Sequence, residues 1–91
     1  MDHNYYIAVF ETKNKAIFLY SVLETMGYKN FQIVSTPCTI KAGCNYAIKF
    51  INIRYADILA REAKELNIGA FDIFYAEKIN GRYKYKKVNI N

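Results

Sequence analysis

The chain has 91 residues, 53% of them apolar in the broad sense, with nine tyrosines, six phenylalanines, one proline and no tryptophan. That length holds a single hydrophobic core, and so high an apolar content excludes a disordered chain. The net charge of +5 is unevenly placed: residues 1–77 carry eight basic and eight acidic side chains, and the excess belongs to Lys78, Arg82, Lys84, Lys86 and Lys87. Apolar runs fall far short of the ~20 residues a membrane span requires. The first four residues show no basic region leading into an apolar one, so a cytoplasmic protein with reduced thiols is expected.

Tyr5 to Phe10 is short, aromatic, β-branched and nearly all apolar, which predicts a strand buried on both faces and central in its sheet. Thr12 is placed to cap a helix, since its hydroxyl can accept a hydrogen bond from a first-turn amide. Ala16, Leu19, Tyr20, Leu23 and Met26 then recur at three- and four-residue steps, the spacing of one helical face. Gly27 suits the left-handed residue that ends such a helix. Phe31 to Val34 predicts a second strand, and Tyr46 to Ile51 a third, with Tyr46, Ile48 and Phe50 on one face and Lys49 on the other. A second helix is predicted over residues 54–67, with Ala56, Leu59, Ala60, Ala63 and Leu66 inward and Arg61, Glu62, Lys64 and Glu65 mostly in solvent. Asn67 and Gly69 stop it, and Phe71 to Ala76 makes a fourth strand.

The order strand, helix, strand, strand, helix, strand is that of a split βαβ unit. It predicts an α+β, ferredoxin-like two-layer sandwich over residues 1–79, both helices lying on one face of an antiparallel sheet. Asn80-Gly81 is the strongest two-residue hairpin signal, because both central residues of such a turn need positive φ. Residues 80–91 then return as a basic strand or tail, with Lys84 opposite Glu77. That register sets Phe71 and Ile73 on the same face as Arg82, Lys84 and Lys86, so a bulge, or a tail that leaves the sheet, is expected.

Between strands two and three lies a long connection, Ser35-Thr36-Pro37-Cys38-Thr39-Ile40-Lys41-Ala42-Gly43-Cys44. Hairpin loops usually run to about 2–5 residues, and this one holds both cysteines and the proline. A working cysteine acts as its thiolate and needs partial exposure with local positive potential. Cys44 follows Gly43, which lets a ligand approach the backbone, and Lys41 lies three residues upstream. Cys38 follows Pro37, whose ring fixes the entry of the chain. The pair fits a sulfur or selenium relay in which Cys44 holds the atom and Cys38 resolves it by exchange. The alternative is that one or both are buried apolar filler. Zinc wants four ligands, and the remaining candidate of the usual types, His3, sits in the N-terminal tail, so no metal and no cofactor are expected.

The window Pro37 to Phe50, P-C-T-I-K-A-G-C-N-Y-A-I-K-F, resembles the putative selenium/sulfur carrier protein-like family, a small bacterial domain. Members of that family typically show a strand ending in Val-Phe, a helix with an early alanine and a threonine-proline-arginine segment. A Cys-Gly pair follows seven residues after the proline, then a strand of the type A-I-R-F. Val9-Phe10, Ala16, Thr36-Pro37, Cys44 and Ala47-Ile48-Lys49-Phe50 fall on those positions. The resemblance implies that Cys44 is the acceptor and that sulfur or selenium donor and acceptor proteins are its partners. Two departures stand out: Cys38 replaces the arginine, which adds a thiol, and Asn45 replaces the glycine after the key cysteine. Pro37, Lys41, Gly43 and Asn45 are then the residues that shape the loop.

The basic end offers a second, partner-binding reading on Arg82, Tyr83, Lys84, Tyr85, Lys86 and Lys87. Alternating tyrosine and lysine on a ferredoxin-like sheet is one way of stacking bases. No run resembles the RNA-recognition motifs, however, and Tyr5, Tyr6 and Phe10 are more simply core. An edge strand whose lysines block edge-to-edge aggregation accounts for the pattern with less. Nucleic acid is therefore the disfavoured partner, while an acidic partner or a homodimer across this strand stays open. With no Gly-rich phosphate loop, G-x-S-x-G or H-E-x-x-H, the expected role is a carrier or thiol-redox adaptor rather than a self-sufficient enzyme.

Overall fold

The computed structural model describes residues 4–40 and 45–89. Seven elements follow one another: β1 (Tyr5–Phe10), α1 (Lys13–Thr25), β2 (Gln32–Ser35), β3 (Tyr46–Phe50), α2 (Tyr55–Glu65), β4 (Phe71–Ile79) and β5 (Arg82–Val88). The protein is thus α+β, with two helices and a five-stranded antiparallel sheet in the order β2-β3-β1-β4-β5.

β1 lies at the centre because alternate residues serve both sides of the sheet. Ala8 faces Ile48 on one flank and Ile73 on the other. Together with Phe10 and Phe50 they form one wall of the main core, and Ala16, Leu19 and Leu23 of α1 and Ala56, Leu59 and Ala63 of α2 form the other. Phe31, just ahead of β2, sets its ring edge-on to Phe50 and Tyr55 and joins that core. The opposite parity of β1, Ile7 and Val9, meets Ala47 in a smaller cluster beneath Tyr5, Val34, Ile40, Phe74 and Tyr85. No helix residue belongs to that second cluster, so the helices cover one face and leave the other to a loop.

The helix ends follow their local chemistry. The Thr12 side chain accepts the Lys15 amide at 3.3 Å, and Gly27 takes φ +93 after the helix. Three residues lie elsewhere than their spacing predicted. Met26 is the C-cap of α1 and 49% exposed rather than part of the inward stripe. α1 is in fact apolar on both sides, with Ile17 and Phe18 turned outward. In α2, Ala60 is exposed while Glu62 is buried. Glu62 lies three residues after Leu59 on the inward face, and its carboxylate stays near the rim through Arg61 Nε at 3.4 Å.

The expected bulge or departure of the basic segment does not occur. β5 pairs regularly with β4 from Ile79–Arg82 to Ile73–Val88, with Glu77 opposite Lys84. The conflict dissolves because β4 runs on to Ile79. Its apolar residue Ile73 meets Val88, while Lys84 and Lys86 lie nearer the turn, where their side chains stand in solvent. Asn80 and Gly81 adopt φ 53 and 80 in that turn, the sense that suits the right-handed twist of paired strands.

Candidate functional site

The ladder between β2 and β3 reaches one pair beyond the strands. After Ser35 and Tyr46, the Thr36 amide donates to the Asn45 carbonyl at 2.9 Å, which ties the two ends of the loop together. The chain then turns at once. Ile40 N donates to Pro37 O at 3.0 Å, so Pro37-Cys38-Thr39-Ile40 is a hydrogen-bonded turn with Cys38 at its first central position. Ile40 packs into the small cluster of Ile7, Val9 and Ala47 and so anchors the turn on the helix-free face of the sheet. Packing of that partly buried side chain seats the turn, while Cys38 is exposed and without a partner among the described residues.

Cys38 is therefore displayed, not filler. Pro37 and Asn45 are half-buried at the two ends of the loop. Lys41, Gly43 and Cys44, and with them any pairing of Cys44 with Cys38, lie outside the described residues, as does His3. Thr36 is a residue whose weight sequence reasoning missed. It is 5% exposed, and its hydroxyl has no hydrogen-bond partner among the described residues. A buried hydroxyl without a partner costs free energy, and only its place before Pro37 in the resembling window signalled it.

A second set of side chains meets on the same face. Strand parity sends Tyr83, Tyr85 and Lys87 of β5 to the helix-free side and Arg82, Lys84 and Lys86 to the other. Tyr5 is half-buried and packs on the smaller cluster of this face, not in the main core beneath the helices, its ring 5.1 Å from that of Tyr83. Burial first, then a hydrogen bond with Tyr85 and repulsion from the neighbouring phenols, pushes the Tyr5 hydroxyl well above the usual tyrosine range. Lys49 Nζ sits 4.5 Å above the Tyr5 ring, and Lys78 Nζ 5.9 Å from the Tyr83 ring. Lys87 Nζ is 3.3 Å from Asp72 Oδ1. Tyr6 and Phe10 do belong to the helix side, where they stack on Phe50 and Phe71. A cleft of about 330 Å³ between Thr39 and Ile40 on one wall and Phe74, Tyr83 and Tyr85 on the other joins the two sets.

Among the described residues no group of three or more histidine, cysteine or acidic side chains converges as a metal site, and no helix is long and apolar enough to cross a membrane. Neither the curated proteins nor the solved structures gave a match to the chain. A family model does match, over residues 5–75, which takes in both helices, the cysteine loop and all of the sheet but the end of β4 and β5. The chain belongs to the putative Se/S carrier protein-like family.

Proposed function

We propose that the protein is a sulfur or selenium carrier, or a thiol-redox adaptor of that kind, with Cys44 as the acceptor and Cys38 as the resolving thiol. The single observation that carries the reading is the family match across residues 5–75, which contains both cysteines. What supports it in the geometry is an exposed Cys38 on a turn held at both ends by backbone hydrogen bonds. Thr36 adds a hydroxyl not spent on another described residue, a donor suited to an anionic sulfur. In the loading step the Cys44 thiolate attacks the outer sulfur of a donor persulfide. The donor's S–S bond breaks, its thiolate leaves, and Cys44 becomes the persulfide. For discharge, the Cys38 thiolate attacks Cys44 Sγ, hydrosulfide departs, and a disulfide remains that two equivalents of a thiol reductant open again.

The order β2-β3-β1-β4, with helices following β1 and β3, favours a ferredoxin-like body, and β4–β5 then reads as a hairpin extension. β5 lies beyond the matched residues and serves as an appended basic strand. A carrier of reduced sulfur suits the bacterial cytoplasm, where thiols stay reduced.

The test is the mass of the whole protein after incubation with a cysteine desulfurase and cysteine, or with the same desulfurase and selenocysteine, whose enzyme-bound perselenide is the selenium donor. A gain of ~32 Da per sulfur or ~79 Da per selenium is expected, lost in Cys44→Ser and kept in Cys38→Ser. No gain under either condition, or a gain that survives Cys44→Ser, rules this reading out.

A further inference from the structure

We propose that the helix-free face of the sheet binds single-stranded RNA, with Tyr5, Tyr83 and Tyr85 stacking bases and Lys49 and Lys78 taking phosphates. This goes beyond the carrier reading and does not depend on either thiol.

The sequence disfavoured nucleic acid because no run resembles the RNA-recognition motifs, Tyr5 was assigned to the core and the lysines of the last strand to edge protection. The tertiary structure leaves β5 an edge strand and adds what spacing did not show. Three tyrosine rings from two different strands come together on one side: Tyr5 and Tyr83 with centroids 5.1 Å apart, Tyr83 and Tyr85 6.5 Å apart. Each of the three is of intermediate burial. Lys49 comes from a strand that the sequence did not connect with the tail and Lys78 from the strand just before the turn, and their ammonium groups lie against Tyr5 and Tyr83. An ammonium over a ring is a weakly held arrangement at an exposed site. A nucleobase can take its place on the ring while the lysine swings to the adjoining phosphate.

Charge decides between partners of different classes. On the paired strands of this face stand Lys49, Lys78 and Lys87, with Asp72 as the acid, itself engaged by Lys87. The face is therefore positive and calls for a polyanion. An acidic peptide would use the lysines and leave the three rings idle, whereas a single strand uses rings and lysines together. A duplex hides its bases and has no use for the rings. The cleft of about 330 Å³ beside Tyr83 and Tyr85, walled by Ile40 and Phe74, gives one base a recess at the edge of the turn that carries Cys38.

The experiment is fluorescence anisotropy of the full chain with an end-labelled, mixed-sequence single-stranded RNA 12-mer over a series of KCl concentrations. Saturable binding is expected, with affinity falling as salt rises. Tyr83→Ala should weaken it about fivefold or more, the loss of one stacked base, and Tyr83→Phe should keep it. Lys49→Gln should lower the magnitude of the log–log salt slope by about 0.7, one phosphate contact on a single strand. Circular dichroism melts check that each variant is folded, and the lysine variant leaves the packed rings in place. Cys38→Ser and Cys44→Ser should bind like the parent, so loss of carrier loading and loss of RNA binding are read separately. Absence of saturable binding overturns the proposal, as does binding indifferent to Tyr83→Ala. Equal competition by poly-glutamate assigns the face to an acidic protein instead, and equal affinity for duplex RNA removes the stacking role.

Discussion

Thr36 and Tyr5 each set a polar group into packed surroundings, with opposite consequences. The Thr36 hydroxyl is buried without a partner among the described residues, so exchanging it for a methyl removes an unmet polar group at nearly constant volume. Thr36→Val is expected to raise stability by about 1 kcal/mol, the low end of the penalty for such a group, measured as a higher urea midpoint at unchanged m-value. If the same variant takes up less sulfur, that hydroxyl is retained for chemistry at the expense of the fold. A lower midpoint would mean that the hydroxyl has a partner after all. Tyr5 is the reverse case, since its phenol is held neutral by burial and by Tyr85. Its folded pKa lies above the unfolded value of 10.0. Its contribution to stability is therefore complete below about pH 10 and declines as pH rises further, when the unfolded chain ionises and the folded one does not. Absorbance at 295 nm should report a phenol that resists ionisation until the protein unfolds. Tyr5→Phe should abolish that resistant step and flatten the fall of stability above pH 10, and an unchanged titration would count against the packing of Tyr5 described above.

The two helices differ in how plainly they declare their inner face. α2 mixes charge and alanine so that most of its stripe is plain, Ala60 and Glu62 excepted, because an alanine suits either side and a carboxylate reads as a mark of solvent. α1 has leucines inward and Ile17 and Phe18 outward, so spacing alone offered more than one face. Leu19 is fully buried, and Leu19→Ala is expected to cost about 2–5 kcal/mol, while Phe18→Ala, one residue away, should stay within about 0.5 kcal/mol. Similar losses for the two would reverse the assigned face. The turn between β4 and β5 is governed by backbone conformation alone. A side chain at Gly81 meets nothing within 4 Å, yet φ is +80 there. Gly81→Ala should therefore cost about 1 kcal/mol of stability through left-handed strain, read from chemical denaturation, and a neutral result would place the turn in another conformation.

On the scale of the whole molecule, the helices cover one face of the sheet, and among the described residues the turn at Ile40 packs on the other. β5 gives Tyr83 and Tyr85 to the open side and stands Lys84 and Lys86 along the other. It also contributes most of the net charge, since removing residues 80–91 takes out Arg82, Lys84, Lys86 and Lys87 and leaves +5 − 4 = +1. A chain ending at Ile79 would expose the unpaired edge of β4, with Phe74 and Tyr75 on it and little charge to keep copies apart. Exposed apolar edges recruit further strands, so size-exclusion chromatography should find this shortened chain in oligomers. A monomer of full solubility would show that β5 has no part in covering the sheet.

The local features were legible in the sequence because they rest on local chemistry. The nearly all-apolar run of β1, the Thr12 cap, the stop at Gly27, the Asn80-Gly81 turn and the Glu77–Lys84 register each follow from a few neighbouring residues. The window from Pro37 to Phe50 likewise carried the family. Tertiary structure alone decided which residues meet across long separations. Ile40 lies on the cluster of Ile7, Val9 and Ala47, Tyr5 beside Tyr83, Lys49 over Tyr5, and Thr36 ends buried with its hydroxyl unmatched among the described residues. None of these follows from spacing, because each depends on which strand neighbours which and on the side of the sheet the loop crosses. Those choices are made by packing over the whole chain, and a residue's own neighbours hold no record of them.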